Sequence, residues 1–149
     1  MPLEGVYEPS TQQWVRDQVE RYERTGGREA NTLRDTGIPI VVFTLRGRRS
    51  GKLRKVPLMR VEHEGRYAMV ASQGGSPEHP GWYHNLKASP EVSVQDGTSV
   101  IDGSARELEG REREEWWERA VAVFPTYAQY QSKTDRQIPV FVVEPGPTS

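Results

Sequence analysis

The residues best equipped for chemistry in this chain form a run of cations. Arg46, Arg48, Arg49, Lys52, Arg54 and Lys55 fall within ten positions, with Gly47, Ser50 and Gly51 among them. Glycine lets backbone N–H groups come close to an anion, and guanidinium forks pair with phosphate oxygens two at a time. The run therefore reads as an anion or phosphate clamp, with a solvated hairpin turn as the plain alternative. It is not the phosphate loop of nucleoside triphosphatases. Gly47 and Gly51 stand one residue too close, and Leu53 replaces the required Ser or Thr.

A second group lies in Ala71-Ser72-Gln73-Gly74-Gly75-Ser76-Pro77-Glu78-His79-Pro80-Gly81-Trp82-Tyr83. Gly74 and Gly75 free the backbone where a strand ends. Trp82 and Tyr83 begin a helix, whose unpaired N–H groups favour anions and whose rings favour flat ligands. The same two aromatics would also serve to plug the end of a barrel. Phe124, Tyr127 and Tyr130, spaced by three, form a third group. Such a stripe suits core packing, but buried Tyr hydroxyls want partners, and an exposed pair suits a planar substrate. His79 and His84 lack the carboxylate pattern of a zinc helix, so no metal site is expected. No G-x-S-x-G elbow supports Ser72 or Ser76 as a hydrolytic nucleophile.

The elements that must position these groups are legible in the hydrophobic pattern. Ser10 with Gln13 forms a capping-box signature ahead of Trp14, Val15, Val19 and Tyr22 on one helical face, stopped at Thr25-Gly26-Gly27. Strands are expected over 38–45, 53–61 and 67–72 as an antiparallel meander, and over 91–95 and 99–108 as a hairpin. A short helix is expected over 82–88, and an amphipathic one over 109–124 with Trp117, Ala120, Val121 and Phe124 inward. Another short helix follows over 127–134, then a closing strand over 138–144 and a Pro145-Gly146-Pro147 ending. About six largely antiparallel strands with peripheral helices make a mainly β, α+β fold, a small barrel. The chain reads as a single domain over 1–149, with a helical arm over roughly 1–30 and a barrel over 38–145.

Composition bounds the rest. At 149 residues with no Cys, the chain excludes a disulfide framework and thiolate chemistry. No apolar stretch approaches the roughly 20 residues of a membrane span, and no signal peptide is evident at the start, so a cytoplasmic protein is expected. A net charge of −1 speaks against holding nucleic acid by bulk charge.

Taken together, Gly47-Arg48-Arg49-Ser50-Gly51, Arg54 with Pro57-Leu58, Ala71-Ser72 with Gly74-Gly75, the run from Trp82 to Pro90, and Tyr127 through Gln131 to Pro139 resemble the deazaflavin-dependent nitroreductase family of actinobacteria in order and spacing. The resemblance runs from about Ile38 to Pro145. It implies a split β-barrel like that of flavin-mononucleotide-binding oxidases, holding coenzyme F420, and hydride transfer to a flat organic acceptor. On that resemblance Arg48, Arg49, Lys52 and Arg54, with Ser50 and Gly51, match the clamp for the cofactor's phosphate-bearing tail. Val56, Pro57, Leu58, Ala71, Ser72 and Gln73, beside Gly74 and Gly75, match the ring bed, which Trp82 and Tyr83 help close. Ser72 is expected to donate to the acceptor's oxygen, and Tyr127 and Tyr130 to shape the wall and deliver a proton.

Two departures bear on the acceptor. Met59 and Phe124 stand where nitroimidazole-reducing relatives tend to have Tyr, so a quinone is expected ahead of a nitroaromatic. Other readings keep the barrel with flavin mononucleotide, make the chain a deazaflavin carrier without turnover, or make it a single-strand nucleic-acid platform. Peripheral contact with the inner membrane face, and a monomer or a homodimer, stay open.

Overall fold

A computed structural model describes residues 3–33 and 36–146, so that Pro147 of the expected ending lies outside the described residues. The β-branched run from Ile40 forms β1 (Ile40–Arg46). Its Val41, Phe43 and Leu45 join one buried cluster, while Ile40 and Val42 join another. A strand covered on both faces needs such a continuous apolar run. The same division holds in β4 (Arg66–Val70) and β7 (Val140–Pro145). Tyr67, Met69, Phe141 and Val143 point one way, and Ala68, Val70, Val140 and Val142 the other.

With β2 (Leu53–Met59), β3 (Glu62–His63), β5 (Glu91–Asp96) and β6 (Ser99–Glu107), these strands make one antiparallel sheet ordered β2-β1-β5-β6-β7-β4-β3. The two-residue β3 raises the expected count of about six strands to seven among the described residues. β2 and β3 lie at opposite edges, yet only Arg60 and Val61 join them. Three Cα steps reach about 11 Å, whereas seven flat strands would spread over about 29 Å. The sheet must therefore curl, and it does so into an open half-barrel. This is the expected split barrel, but the expected meander over the first strands is not formed. The free side of β1 takes β5, and β4 pairs with β7 through Tyr67↔Val143 and Met69↔Phe141, where apolar side chains match on both faces.

Among the described residues four α-helices cover the sheet. α1 (Gln13–Thr25) buries Val19 and Tyr22 against Ile40 and Val42, and stops at Gly26 with φ 63°. The capping box is not made. Ser10 Oγ accepts instead from the Gln12 N–H at 3.1 Å, and Gln12 takes the cap position. Just upstream the arm runs along the sheet edge, where Leu53 donates its N–H to Val6 O (2.7 Å) and Glu8 donates to Leu53 O (2.8 Å). α2 (Gly81–Ala88) packs Leu86, Trp82 and Tyr83 into the inner cluster. α3 (Gly110–Val123) and α4 (Thr126–Ser132) cover the outer face of β4 and β7. The buried side of α3 is Arg113, Trp116 and Ala120, while Trp117 and Val121 sit half-buried beside it. Adjacent tryptophans lie about 100° apart on a helix, and the pattern favours neither without knowing the partner.

The corner where the sheet closes is held by polar groups. Tyr67 OH donates to Asp96 Oδ2 at 2.6 Å and Arg60 Nε donates to the same oxygen at 2.9 Å. Nearby, the Gly97 N–H donates to Tyr22 OH at 2.7 Å. Burial, then the Asp96 carboxylate, push the Tyr67 phenol from 10.0 up to about 12. The fold thus favours the neutral phenol, and this contribution is complete below pH 10 and lost as pH rises through about 12. Tyr67→Phe should lower the unfolding free energy by about 1.5–3 kcal/mol, the range for a hydrogen bond to a charged group. It should also flatten the alkaline decline. Urea unfolding at neutral and alkaline pH checks both.

Candidate active site

One cleft of about 1090 Å³ gathers the β1–β2 turn, the outer part of β2, the loop after β4, the start of α2, α4 and the N-terminal arm. Small-molecule sites run from roughly 300 to 1,000 Å³, so this one suits a large ligand. Its cationic wall is built on the turn, closed by the Gly47 N–H to Lys52 O at 2.8 Å. Arg48 is anchored from both ends. Its backbone N–H and its Nη1 donate to Asn85 Oδ1 at 3.1 and 2.9 Å, and Nη1 also reaches Gly81 O at 3.3 Å. Arg54 pairs with Glu8 at 3.3 Å, and Ser50 Oγ donates to the same Glu8 oxygen at 3.2 Å. Lys55 pairs with Glu23 of α1 and lies over the Tyr7 ring. Arg48, Arg49, Arg54 and Lys55 line the cleft, and Glu8 is the acidic residue lining it among the described residues.

Beside this wall lies an apolar floor of Val56, Pro57, Leu58 and Met59 from β2, with Trp82 from α2. The far side is the loop after β4. Ser72 is helical in φ and ψ, and the next three residues all turn left-handed: Gln73 (φ 45°), Gly74 (64°) and Gly75 (84°). Ser72, Gln73 and Gly74 line the cleft, as do Tyr127 and Tyr130 of α4. Tyr127 is buried, packing edge-on against Phe124 at 5.0 Å. Burial, then Tyr130, hold its phenol well above the ordinary tyrosine range. It is therefore suited to donating a hydrogen bond rather than giving up its proton.

Six expected residues do not line the cleft. Gly51 and Lys52 sit exposed at the turn. Ala71 and Gly75 are buried behind Ser72 and Gly74, and Phe124 lies beneath the two tyrosines. Tyr83 turns to stack on His79 at 4.0 Å, because one helical step separates it from Trp82 by about 100°. Conversely, Glu8, Ser10, Gln12, Trp14, Val15 and Leu33 line the cleft, as do Lys55 and Asn85. Lys55 stood in the basic run and Asn85 in the run from Trp82. Nothing local to the arm points to it.

Glu8 occupies the place an anionic ligand would take beside Arg54 and Ser50. Glu8→Gln should remove a like charge and tighten an anionic ligand roughly three- to tenfold, since one such contact at a half-exposed site is worth about 1 kcal/mol. The effect should shrink with added salt. Titration at two ionic strengths reads it.

A family model described as F420H(2)-dependent quinone reductase matches residues 14–145. An F420H(2)-dependent quinone reductase of Mycobacterium tuberculosis (strain ATCC 25618 / H37Rv) is 31% identical over 125 residues, which is 82% of this chain and 83% of its own length. A solved structure of an F420-H2 dependent reductase is 66% identical, with a TM-score of 0.69 over 71% of this chain and 94% of that one. A second, a domain-swapped dimer, is 59% identical, with a TM-score of 0.71 over 91% of this chain and 100% of that one.

Proposed function

Because the chain belongs to the F420H(2)-dependent quinone reductase family, we propose that it passes a hydride from reduced coenzyme F420 to a quinone held in the cleft. One observation carries this reading: a single cleft joins a wall of four cations to an apolar floor and a hydroxyl-bearing far side. The residues fit the cofactor. Arg48, Arg49, Arg54 and Lys55, with Ser50, would hold its anionic tail, and Val56, Pro57, Leu58 and Trp82, facing Ser72 to Gly74, would bed its ring. When bound, the reduced ring supplies a hydride, which carries two electrons.

A quinone taking up that hydride needs one further proton to become the hydroquinone. Ser72, buried at the rim with 8% exposure, would donate a hydrogen bond to the quinone oxygen. Tyr130, more open to solvent than Tyr127, would relay the proton. The buried Tyr127 forms the wall. Met59 lines the cleft and Phe124 backs it, so this side offers apolar surface suited to a flat dione. Nitroaromatics rank second for the same reason, since a nitro group calls for more donors.

Among the described residues no helix is long and apolar enough to cross a membrane. The reading places the protein in the cytoplasm with access to the inner membrane face, supported by exposed Val6 and Trp14 on the arm. The domain-swapped relative supports a homodimer.

The test is a fluorescence titration with oxidised F420 and, in parallel, flavin mononucleotide, followed by turnover of reduced F420 with a quinone panel. Selective F420 binding with quinone reduction is expected. Preferential flavin binding, or no turnover of any quinone by the cofactor-loaded protein, would overturn the reading.

A further inference from the structure

Arg136 lies in the run from Tyr127 to Pro139, outside the cleft lining. Its guanidinium nevertheless meets four acceptors on the loop that forms the cleft's far side. Nε donates to Ser76 O at 2.9 Å, Nη1 to Ala71 O at 3.1 Å, and Nη2 to Ser72 O at 2.9 Å. Nη1 also meets His79 Nδ1 at 3.1 Å. An arginine has no lone pair to offer, so His79 Nδ1 must accept, and its proton sits on Nε2. Burial, then the charges of Arg136 and His84, keep His79 below its ordinary range, with Glu107 opposing them weakly, so the neutral ring is favoured.

Arg136 is held in turn by α4. Gln131 Nε2 donates to Arg136 O at 2.8 Å, and Gln131 Oε1 accepts from the Ile138 N–H at 2.9 Å. The loop meets α4 directly as well: a Cβ added at Gly75 would lie 2.8 Å from Tyr130 O. Loop, arginine and tyrosine helix are therefore one mechanical unit.

The peptide geometry shows what this unit sets. In a trans peptide the N–H points opposite to the C=O. A guanidinium that draws the Ala71 and Ser72 carbonyls to its own side thereby turns the Ser72 and Gln73 N–H groups away from it, toward the cleft that Ser72 and Gln73 line. Such successive amides make a donor edge for an acceptor-rich ligand.

We propose that Arg136 is a positioning residue for hydride transfer: by gripping the Ala71, Ser72 and Ser76 carbonyls it presents the Ser72 and Gln73 amides to the carbonyl-bearing edge of the cofactor ring. This rests on the F420 reading above. Lys at 136 keeps the charge but lacks the planar fork that reaches separate acceptors, so charge alone does not restore the site.

The test compares wild type, Arg136→Lys and Arg136→Ala, using oxidised F420 as the titrant. Amide hydrogen exchange is followed over 72–76 and over the sheet. Both variants should bind the cofactor roughly tenfold more weakly, the equivalent of one lost charge-assisted hydrogen bond. Exchange should accelerate at 72–76 while the amides of β1, β5 and β7 keep their protection. With cofactor saturating, kcat should fall more than the quinone KM rises, and low-millimolar guanidinium should partly restore Arg136→Ala but not Arg136→Lys. Wild-type affinity and wild-type exchange at 72–76 in Arg136→Ala would overturn the proposal. Exchange faster everywhere would also overturn it, since that marks general destabilisation. A wild-type chain that binds no F420 would overturn the cofactor reading and the proposal with it.

Discussion

Replacing Arg54 by Ala is expected to weaken binding of oxidised F420 roughly ten- to thirtyfold. Arg54 sits opposite Leu45 in the β1–β2 ladder, so its backbone is fixed by the sheet rather than by the turn. Its side chain reaches the same carboxylate oxygen as Ser50, which shows that the two can share one anion. A hydrogen bond to a charged partner is worth about 1.5–3 kcal/mol, and 1.4 kcal/mol is tenfold in affinity. The lower part of that range applies, because the Arg54 side chain is 40% exposed and water screens it. Arg48 would be a poorer probe of the same question. Its guanidinium also ties the turn to α2 through Asn85 and Gly81, and its loss would disturb both elements. The titration should be repeated at higher salt, where the gap between wild type and Arg54→Ala narrows. Equal affinity at low salt would remove Arg54 from the clamp.

Gly75→Ala is expected to cost about 2–5 kcal/mol of stability and to depress turnover at saturating cofactor. The backbone at Gly75 has φ 84°, where a side chain costs about 1–2 kcal/mol. The added Cβ would also lie 2.8 Å from Tyr130 O and 3.1 Å from Tyr130 Cα. Both are backbone atoms, so no rotamer change relieves the contact. Overpacking of that kind costs about 1–3 kcal/mol. Relief must come from parting the loop from α4, which shifts Gln73 and Gly74 relative to Tyr130. Urea unfolding reads the stability, and steady-state reduction of a quinone reads the geometry. An Ala variant with wild-type unfolding and wild-type turnover would show that loop and helix move independently.

The parts of the fold that were legible in the residues are those set over a few positions of chain. The β-branched run through Val41, Phe43 and Leu45 marks β1 as a strand, and the two clusters its residues join show that both its faces are buried. Gly26 stops α1 because a left-handed residue ends a helix most easily at glycine. The cations of the β1–β2 turn read as an anion clamp because Gly47, Ser50 and Gly51 stand among guanidinium forks, with a solvated turn as the alternative, and the ordered motifs point to the cofactor.

What the residues left undecided is which element each one meets. The pattern could not say that β4 would choose β7, some 70 positions away, over the neighbouring β2. Nor could it show that the arm would lie on Leu53 and set Glu8 against Arg54, or that Trp82 would face the cleft while Tyr83 stacked on His79. Arg136 is the clearest case, since nothing in its own segment tells which carbonyls it will hold. Periodicity encodes which face of an element is buried. The partner is chosen only when the curl of the sheet brings distant backbone and side chains within hydrogen-bonding reach.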